Sequence, residues 1–277
     1  MDAPADKPAF AWQPLTARGV AAFAGATFGR LWVVQLVFAL LAAATVAWVL
    51  AQTWFPIVRK AIRELPAQGE IRAGRLSWPT GSPQTLAENR FLSMAVDLKQ
   101  ERLVRSPAHV QVEFGENDFR VISLLGTIKR HYPRGWIIAF NQPDLEPWFG
   151  AWAPAILAIV VGAVVASLFV SWAGLASIYF LPAWLLAFFA NRHLNAPMAW
   201  RLCGAALMPG CLLLTAVLFF YGLSLLDVVH LLVATALHFL VGWVYVVVAV
   251  LASPRHPAAG TPTNPFVPQP ESKTMNP

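Results

Sequence analysis

Two long runs of uncharged, mostly apolar residues dominate this sequence. The first covers residues 31–55, and the second covers residues 152–190, which is 39 residues without a single Asp, Glu, Lys or Arg. An apolar helix of about 20 residues is enough to cross the hydrocarbon core of a bilayer. The whole chain is 57% hydrophobic and only 12% charged, about half the usual charged share. These features exclude an ordinary soluble protein and indicate an integral membrane protein.

The few charged residues are concentrated in one third of the chain. Residues 55–150 hold 13 of the 20 Lys and Arg residues and 10 of the 14 Asp and Glu residues. We therefore predict that residues 56–150, called the inserted domain below, form a small soluble unit between membrane helices. The pI near 9.7 arises without a dense basic run, so a nucleic-acid partner is not predicted. The basic excess is typical of Arg and Lys residues that flank membrane spans.

The apolar runs predict an α-helical bundle with four to five spans. As one straight helix, residues 152–190 would be about 58 Å long, nearly twice the hydrocarbon thickness. We therefore expect a break at residues 171–174, where a glycine and an interfacial tryptophan coincide. The predicted segments are an N-terminal segment (1–30), a first transmembrane helix (31–55), the inserted domain (56–150), a membrane bundle (151–252, with spans at 152–171, 175–190, 200–221 and 228–251) and a disordered Pro-rich tail (253–277).

The positive-inside rule gives two self-consistent positions for the inserted domain. If residues 152–190 cross the membrane once, the domain is outside, and Arg192, Arg201 and Arg255 return to the inside with the N-terminus. If that stretch crosses twice, the same arginines stay inside only when the domain is cytoplasmic. Because a long insertion between spans is a common extracytoplasmic arrangement in bacterial membrane proteins, we expect an extracytoplasmic domain in a multi-pass protein of the bacterial inner membrane.

Alternation of apolar and polar residues predicts β-strands in the inserted domain. The clearest alternation is in residues 109–114, where Val110, Val112 and Phe114 share one face. Residues 56–65 have a helical pattern instead and continue the first span outward. We expect about five strands, at residues 71–78 (with a bulge or turn at 73–74), 91–98, 109–114, 119–125 and 136–140.

Four polar residues lie in or beside predicted spans and are candidate functional residues, because ionisable groups in membrane helices carry a free-energy cost. Asp227 and His230 are three apart and can face each other on a helix, or they can serve as an N-cap and an interfacial residue. His238 lies deeper, and it either bonds to a neighbouring helix or relays protons. Gln35 either bonds between helices or contacts a ligand.

Small residues and a proline predict how the helices pack. Alanines spaced by four residues in the first span, and a glycine and an alanine with the same spacing in the second run, form smooth faces for close helix packing. Pro209 interrupts the fourth span and predicts a kink. The two cysteines, Cys203 and Cys211, are interpreted as small packing residues. The predicted packing positions are Ala39, Ala43, Ala47, Gly162 and Ala166.

The sequence contains no recognisable catalytic motif. It has no H-E-x-x-H, no C-x-x-C pair, no G-x-S-x-G, no P-loop and no G-x-G-x-x-G, so no catalytic residue, metal site or cofactor is predicted. The acidic residues of the inserted domain are expected on solvated strand faces and turns rather than in a carboxylate site. They are Asp97, Glu113, Glu116 and Asp118.

The second half of the chain resembles a known type of membrane bundle. A helix pair ends at residues 189–192 and is followed by a short polar link, Arg201, the stretch 205–209 and a final helical hairpin. Over residues 150–252 this layout resembles the membrane bundle of Yip-type proteins and of related uncharacterised bacterial membrane families. The resemblance implies five spans, no catalytic residues, and a role in membrane organisation or partner binding.

Three classes of function remain open on this sequence. The leading hypothesis is a non-enzymatic anchor, sensor or partner-binding protein that acts through residues 56–150. The alternative is a transporter or transport accessory subunit, and a membrane enzyme is the least supported because no catalytic set can be assembled. The expected partners are the lipid bilayer, a protein bound through the inserted domain, and a second copy of the chain.

Overall fold

The computed structural model describes residues 12–79, 82–99 and 106–255. The predicted tail (253–277) therefore lies almost entirely outside the described residues. Four helical segments are long and apolar enough to cross a membrane, which indicates a multi-pass membrane protein. The helices are α1 (Ala17–Ala22), α2 (Phe28–Val49), α3 (Phe55–Arg63), α4 (Gln142–Phe189), α5 (Ala196–Ala206), α6 (Met208–Gly222) and α7 (Val228–Ala252).

The inserted domain is built from an antiparallel sheet of three strands and a mixed sheet of five strands. A three-stranded sheet has the order β2-β1-β8, and a five-stranded sheet has the order β3-β4-β5-β6-β7, in which only β4 and β5 are parallel. All five predicted strand regions are found, and β3 and β7 are additional. The strands are β1 (Glu70–Arg72), β2 (Arg75–Ser77), β3 (Gln84–Glu88), β4 (Leu92–Val96), β5 (Val110–Phe114), β6 (Asp118–Ser123), β7 (Gly126–His131) and β8 (Ile137–Ala139).

The first span continues into the inserted domain without leaving the helical path. A π-helical turn at Leu50–Trp54 connects α2 directly to α3, as the helical pattern after the first span predicts. Helix α3 then buries Ile57 and Ala61 against the apolar side of the five-stranded sheet. The domain is therefore carried on a rigid extension of the first span rather than on a flexible linker.

Helix α4 is one continuous helix, and this corrects the expected break at residues 171–174. Its 48 residues give a length of about 72 Å. The break is absent because a single buried stripe runs in phase through the region: Trp172 is 4% exposed, and Ala176 and Tyr179 follow it on the same face. The tryptophan expected at a membrane interface thus packs in the core of the bundle. Residues 152–171 and 175–190 belong to one candidate span, and the described chain has four candidate spans.

The amino-terminal turns of α4 belong to the inserted domain. Phe149 packs edge-on against Phe55 with ring centroids 5.3 Å apart, and Arg63 pairs with Glu146 at 2.9 Å. These contacts fix the start of α4 beside α3. The first turns of α4 therefore lie in the inserted domain, which explains part of the length by which this helix exceeds the thickness of a bilayer.

A kink is predicted at Pro209, and the structure has a one-residue interruption of the helix just before it. Helix α5 ends at Ala206 and α6 begins at Met208, with Leu207 between them. The segment after the break packs very closely on α7, because a Cβ atom added to Gly210 would lie 2.5 Å from the carbonyl oxygen of His238. Only glycine fits at this crossing.

The two small-residue faces have different surroundings. Ala39 and Ala43 are fully buried, and Ala47 is half-buried, so this face of α2 packs inside the bundle. Gly162 and Ala166 are on the outer surface, and no described atom lies within 4 Å of a Cβ built at Gly162. The face expected from these two residues is therefore exposed in the described part of the chain.

Several arginines meet at the end of the bundle that is remote from the inserted domain. Arg192 donates to the carbonyl of Ser253 at 2.8 Å and its backbone forms a bridge with Arg255. Arg201 donates to the carbonyl of Ala24 at 2.6 Å. The amino-terminal helix α1, the link between α4 and α5, and the end of α7 thus share one end of the bundle.

Three of the four acidic residues expected on solvated faces and turns are buried, whereas Glu116 is partly exposed in the bend between β5 and β6 and pairs with Arg75. Asp97 is 0%, Glu113 1% and Asp118 5% exposed, and each has an interaction partner. Asp118 pairs with Lys129 on the neighbouring strand at 2.9 Å. Asp97 follows β4, Glu113 lies in β5 and Asp118 begins β6, and at these positions the surrounding parts of the domain bury the carboxylates.

Candidate functional site

The inserted domain touches the bundle at a small set of side chains, called the junction below. The junction comprises Asn89, Arg90, Phe91 and His109 from the domain, and Thr53, Tyr221 and Ser224 from the bundle.

Asn89 connects the turn between β3 and β4 to the π-helical turn of the first span. Its Oδ1 accepts hydrogen bonds from the backbone N–H groups of Phe91 and Leu92, both at 2.8 Å. Its Nδ2 donates to the carbonyl oxygen of Thr53 at 2.7 Å. A π-turn shifts the helical hydrogen-bonding pattern, and here the carbonyl of Thr53 accepts a hydrogen bond from the Asn89 side chain of the inserted domain. One amide side chain therefore orders the turn and binds it to the bundle.

Arg90 makes the second connection, to the short loop between α6 and α7. Its Nη1 donates to the carbonyl oxygen of Ser224 at 2.8 Å. Ser224 has a φ of 62°, a left-handed backbone conformation that non-glycine residues adopt infrequently. The remaining N–H groups of Arg90 make no hydrogen bond within the part of the chain that the structure describes, and its side chain is exposed.

An aromatic cluster forms the third connection. The ring of Tyr221 contacts Phe91 edge-on at a centroid distance of 5.0 Å and stacks on His109 at 5.5 Å. Nδ1 of His109 lies 2.8 Å from the Tyr221 hydroxyl oxygen. Burial, and then the nearby guanidinium of Arg90, lower the pKa of His109, while the carboxylate of Asp227 opposes this shift. The lowered pKa favours the neutral ring, in which Nδ1 can accept a hydrogen bond from the tyrosine hydroxyl.

A groove of 370 Å³, called the junction groove below, opens beside this cluster. Its volume falls in the range of about 300–1,000 Å³ typical of ligand sites. Its walls come from α2, α6, α7 and the tip of the β6–β7 hairpin, and His109 and Tyr221 are its main polar groups. The lining residues are Val46, Val49, Leu50, Trp54, His109, Val110, Ser123, Leu124, Leu125, Leu218, Tyr221, Val228, Leu231 and Leu232.

Asp227 and His230 occupy the N-terminus of α7. Oδ1 of Asp227 accepts from the backbone N–H groups of Val229 at 2.9 Å and His230 at 3.0 Å, and it lies 2.8 Å from Nδ1 of His230. These hydrogen bonds to His230 lower the pKa of Asp227. The pair thus has the N-cap arrangement that was one of its two predicted roles, at the domain end of the bundle.

Gln35 is buried between helices and bonds across them. Its side chain is 3% exposed, and Nε2 lies 3.4 Å from the carbonyl oxygen of Gly204. Leu31 Cδ2 would lie 3.1 Å from a Cβ at Gly204, so the two helices approach closely here. This geometry corresponds to the interhelical role.

His238 bonds within its own helix, to the carbonyl of Thr235, rather than to a neighbouring helix as expected. It lines a narrow crevice of 170 Å³ in the middle of the bundle, together with the polar groups of Ser171, Cys211 and Thr215. Thr215 donates to the carbonyl of Cys211 at 2.8 Å. Both cysteines are buried free thiols.

The sequence did not single out Asn89, Arg90, His109 or Tyr221. Each is an isolated polar residue at the edge of an element, and nothing in local periodicity shows that residues 89 and 53 meet. Two sequence features could have indicated these residues. Asn89 lies in a tight turn between two strands, and Tyr221 lies at the end of a span. Within the described ranges, no group of three His, Cys, Asp or Glu residues is arranged to hold a metal ion.

Comparisons with known proteins do not assign this chain to a family. No protein-family description, curated protein or solved structure matches this chain significantly. The resemblance to Yip-type bundles therefore stays a prediction, and inferences about function depend on the geometry of the junction.

Proposed function

We propose that this chain is a non-enzymatic multi-pass membrane protein that binds or senses through its inserted domain and transmits the bound state to the bundle. The observation that carries this proposal is the junction. Asn89, Arg90 and His109 each bond to a different part of the bundle. A domain that was only tethered would not need three separate polar contacts, each about 3 Å long or shorter. Movement of the domain would instead be transferred to the ends of α2, α6 and α7.

The distribution of arginines supports an extracytoplasmic position for the inserted domain. With α4 crossing once, Arg192, Arg201 and Arg255 share the end of the bundle that also carries helix α1. The loop of residues 223–227 at the domain end has no Lys or Arg. Short loops determine orientation, while long inserted domains translocate largely regardless of charge. The remote end is then cytoplasmic, in a bacterial inner membrane.

The surface of the domain offers room for a protein partner. Trp136 is 67% and Ile137 68% exposed, and together they form an apolar site on the domain. All six residues of the edge strand β7 are exposed. Partner binding by residues 56–150, or pairing with a second copy of the chain, would cover this surface.

Hydrogen exchange on the full chain in lipid nanodiscs tests the coupling. Arg90→Gln removes the charged donor from the Ser224 carbonyl, and we expect faster exchange in residues 221–228 of the bundle. Arg134→Gln, on an exposed turn of the same domain, is the matched control and should leave that segment unchanged. Equal exchange in the Arg90 variant and the parent protein would contradict transmission through the junction.

A transporter or transport accessory subunit is the second candidate. The crevice lined by His238 and Thr215 supports it, because polar groups in the middle of a bundle often mark transport pathways. The test is His238→Phe together with Gln35→Leu in reconstituted vesicles. If flux of ions and small solutes is the same with and without these changes, the crevice has no transport role.

A further inference from the structure

The junction groove faces the zone where lipid would surround the bundle. It is walled by the first two turns of α7 and by the domain-facing ends of α2 and α6. The outer surface of α7 continues from it through Val229 and Val233, which are 54% and 52% exposed. In a bilayer this surface contacts acyl chains. The groove is therefore open to the apolar part of the lipid rather than only to water.

The tip of the β6–β7 hairpin completes the groove from the domain side. Leu124 is 62% and Leu125 84% exposed, yet both line the groove beside Leu231 and Leu232. Two adjacent leucines at a hairpin tip are unfavourable in water, since exposed apolar area costs about 25 cal/mol per Å². At the level of the first turns of α7 the same side chains would instead contact lipid. The inserted domain thus reaches into the interface next to the groove.

The rim of the groove carries a positive charge and two hydrogen-bonding groups. Arg90 is adjacent to the lining residues: its backbone carbonyl accepts from the N–H of His109 at 2.9 Å, and its Nη1 donates to the carbonyl of Ser224. The carboxylate of Asp227 also acts on His109, but it is paired with His230 and with two backbone N–H groups. Among the residues that the structure describes, Arg90 therefore has N–H donors without a hydrogen-bond partner beside the apolar junction groove. A guanidinium binds a phosphate through such donors.

We propose that the junction groove holds an acyl chain of an anionic membrane phospholipid, with Arg90 binding its phosphate. The apolar walls, the access from the bilayer and the exposed guanidinium of Arg90 match the two chemical parts of this ligand. The inference rests on the proposed function for its position at the junction, and it names the ligand class of that site. It does not require that the bound lipid change the bundle.

The experiment is native mass spectrometry of the full chain extracted from nanodiscs that contain equal amounts of phosphatidylglycerol and phosphatidylcholine. We expect one retained phosphatidylglycerol per protein. Leu231→Trp fills the groove and should abolish retention, whereas Leu240→Trp, on the exposed surface of the same helix, should retain the lipid. Ser123→Phe fills the groove from the domain side and makes the result independent of any folding defect in α7. Arg90→Gln should lower the preference for phosphatidylglycerol about two- to fivefold, the range that corresponds to one exposed ion pair.

Two outcomes would overturn the proposal. Retention of lipid in both groove-filling variants would mean that the lipid is bound elsewhere. Equal retention of the two phospholipids by the parent protein would contradict the preference for an anionic lipid, because phosphatidylcholine has the same phosphate but no net charge. Coupling is read separately, by hydrogen exchange in residues 221–228. Lipid retention with no exchange response to Arg90→Gln would refute transmission and leave the lipid site intact.

Discussion

Replacing Asn89 should loosen both the β3–β4 turn and the attachment of the inserted domain. The side chain makes three hydrogen bonds, two to backbone N–H groups of its own turn and one to the carbonyl of Thr53. A hydrogen bond contributes about 0.5–1.5 kcal/mol net, so Asn89→Ala removes about 2–4 kcal/mol of local stability. The share of the two turn bonds is about 1–3 kcal/mol.

Hydrogen exchange of the full chain in nanodiscs measures this loss residue by residue. Because each 1.4 kcal/mol is a factor of ten in an opening equilibrium, the amides of Phe91 and Leu92 should exchange about ten to one hundred times faster in Asn89→Ala. Residues 50–55 should also exchange faster, since the Thr53 carbonyl loses its donor.

Asn89→Asp separates the two effects. A carboxylate keeps the acceptor for both turn N–H groups but places an oxygen, not an N–H donor, against the Thr53 carbonyl. The amides of Phe91 and Leu92 should remain protected, and only residues 50–55 should exchange faster. If Phe91 and Leu92 lose protection equally in both variants, or in neither, the assignment of these hydrogen bonds to Asn89 is refuted.

Three further changes test other parts of the structure. Gly210→Ala should lower the unfolding free energy by about 1–3 kcal/mol, the usual cost of overpacking. Gly162→Ala should not destabilise the protein, and thermal unfolding in detergent compares the two variants. Below the unfolded histidine pKa of about 6.5, falling pH should loosen the junction, because the lowered pKa of His109 makes the fold favour the neutral ring. At pH 5, residues 106–112 should be less protected from exchange, relative to an unfolded chain at the same pH, and this loss should vanish in His109→Gln. Gln35→Leu should change stability by less than about 1 kcal/mol, since a single hydrogen bond between membrane helices averages about 0.6 kcal/mol, and the same thermal assay would expose a larger contribution.

Local sequence patterns predict a helix or strand of this fold where burial of apolar side chains, in lipid or against one face of a sheet, dominates. Uncharged runs located the four candidate spans, and clean alternation located β5. Strands β3 and β7 were not predicted. In β3 the two buried residues, Leu86 and Ala87, are adjacent because the register shifts there, so they do not alternate with polar residues. Every side chain of β7 is exposed. Their positions depend on pairing with neighbours rather than on their own pattern.

The continuity of α4 and the junction could not be predicted for a related reason. Gly174 and Trp172 were interpreted by their usual positions at span ends, but the phase of the buried stripe on α4 depends on which helices pack against it. The bond between Asn89 and Thr53 joins residues 36 apart in the chain, and its partner is a backbone carbonyl, which no sequence pattern marks. Long-range polar contacts of this kind require the fold itself.

The central claim is that the chain crosses the membrane four times, with the inserted domain on the side opposite the link between α4 and α5. Single-cysteine labelling in intact cells tests it directly, in a background in which Cys203 and Cys211 are replaced by alanine. A membrane-impermeant maleimide should label Ser82→Cys in the domain and Leu225→Cys in the loop after α6, and it should reach Ala196→Cys only after the membrane is permeabilised. Labelling of Ser82→Cys and Ala196→Cys from the same side would contradict the account.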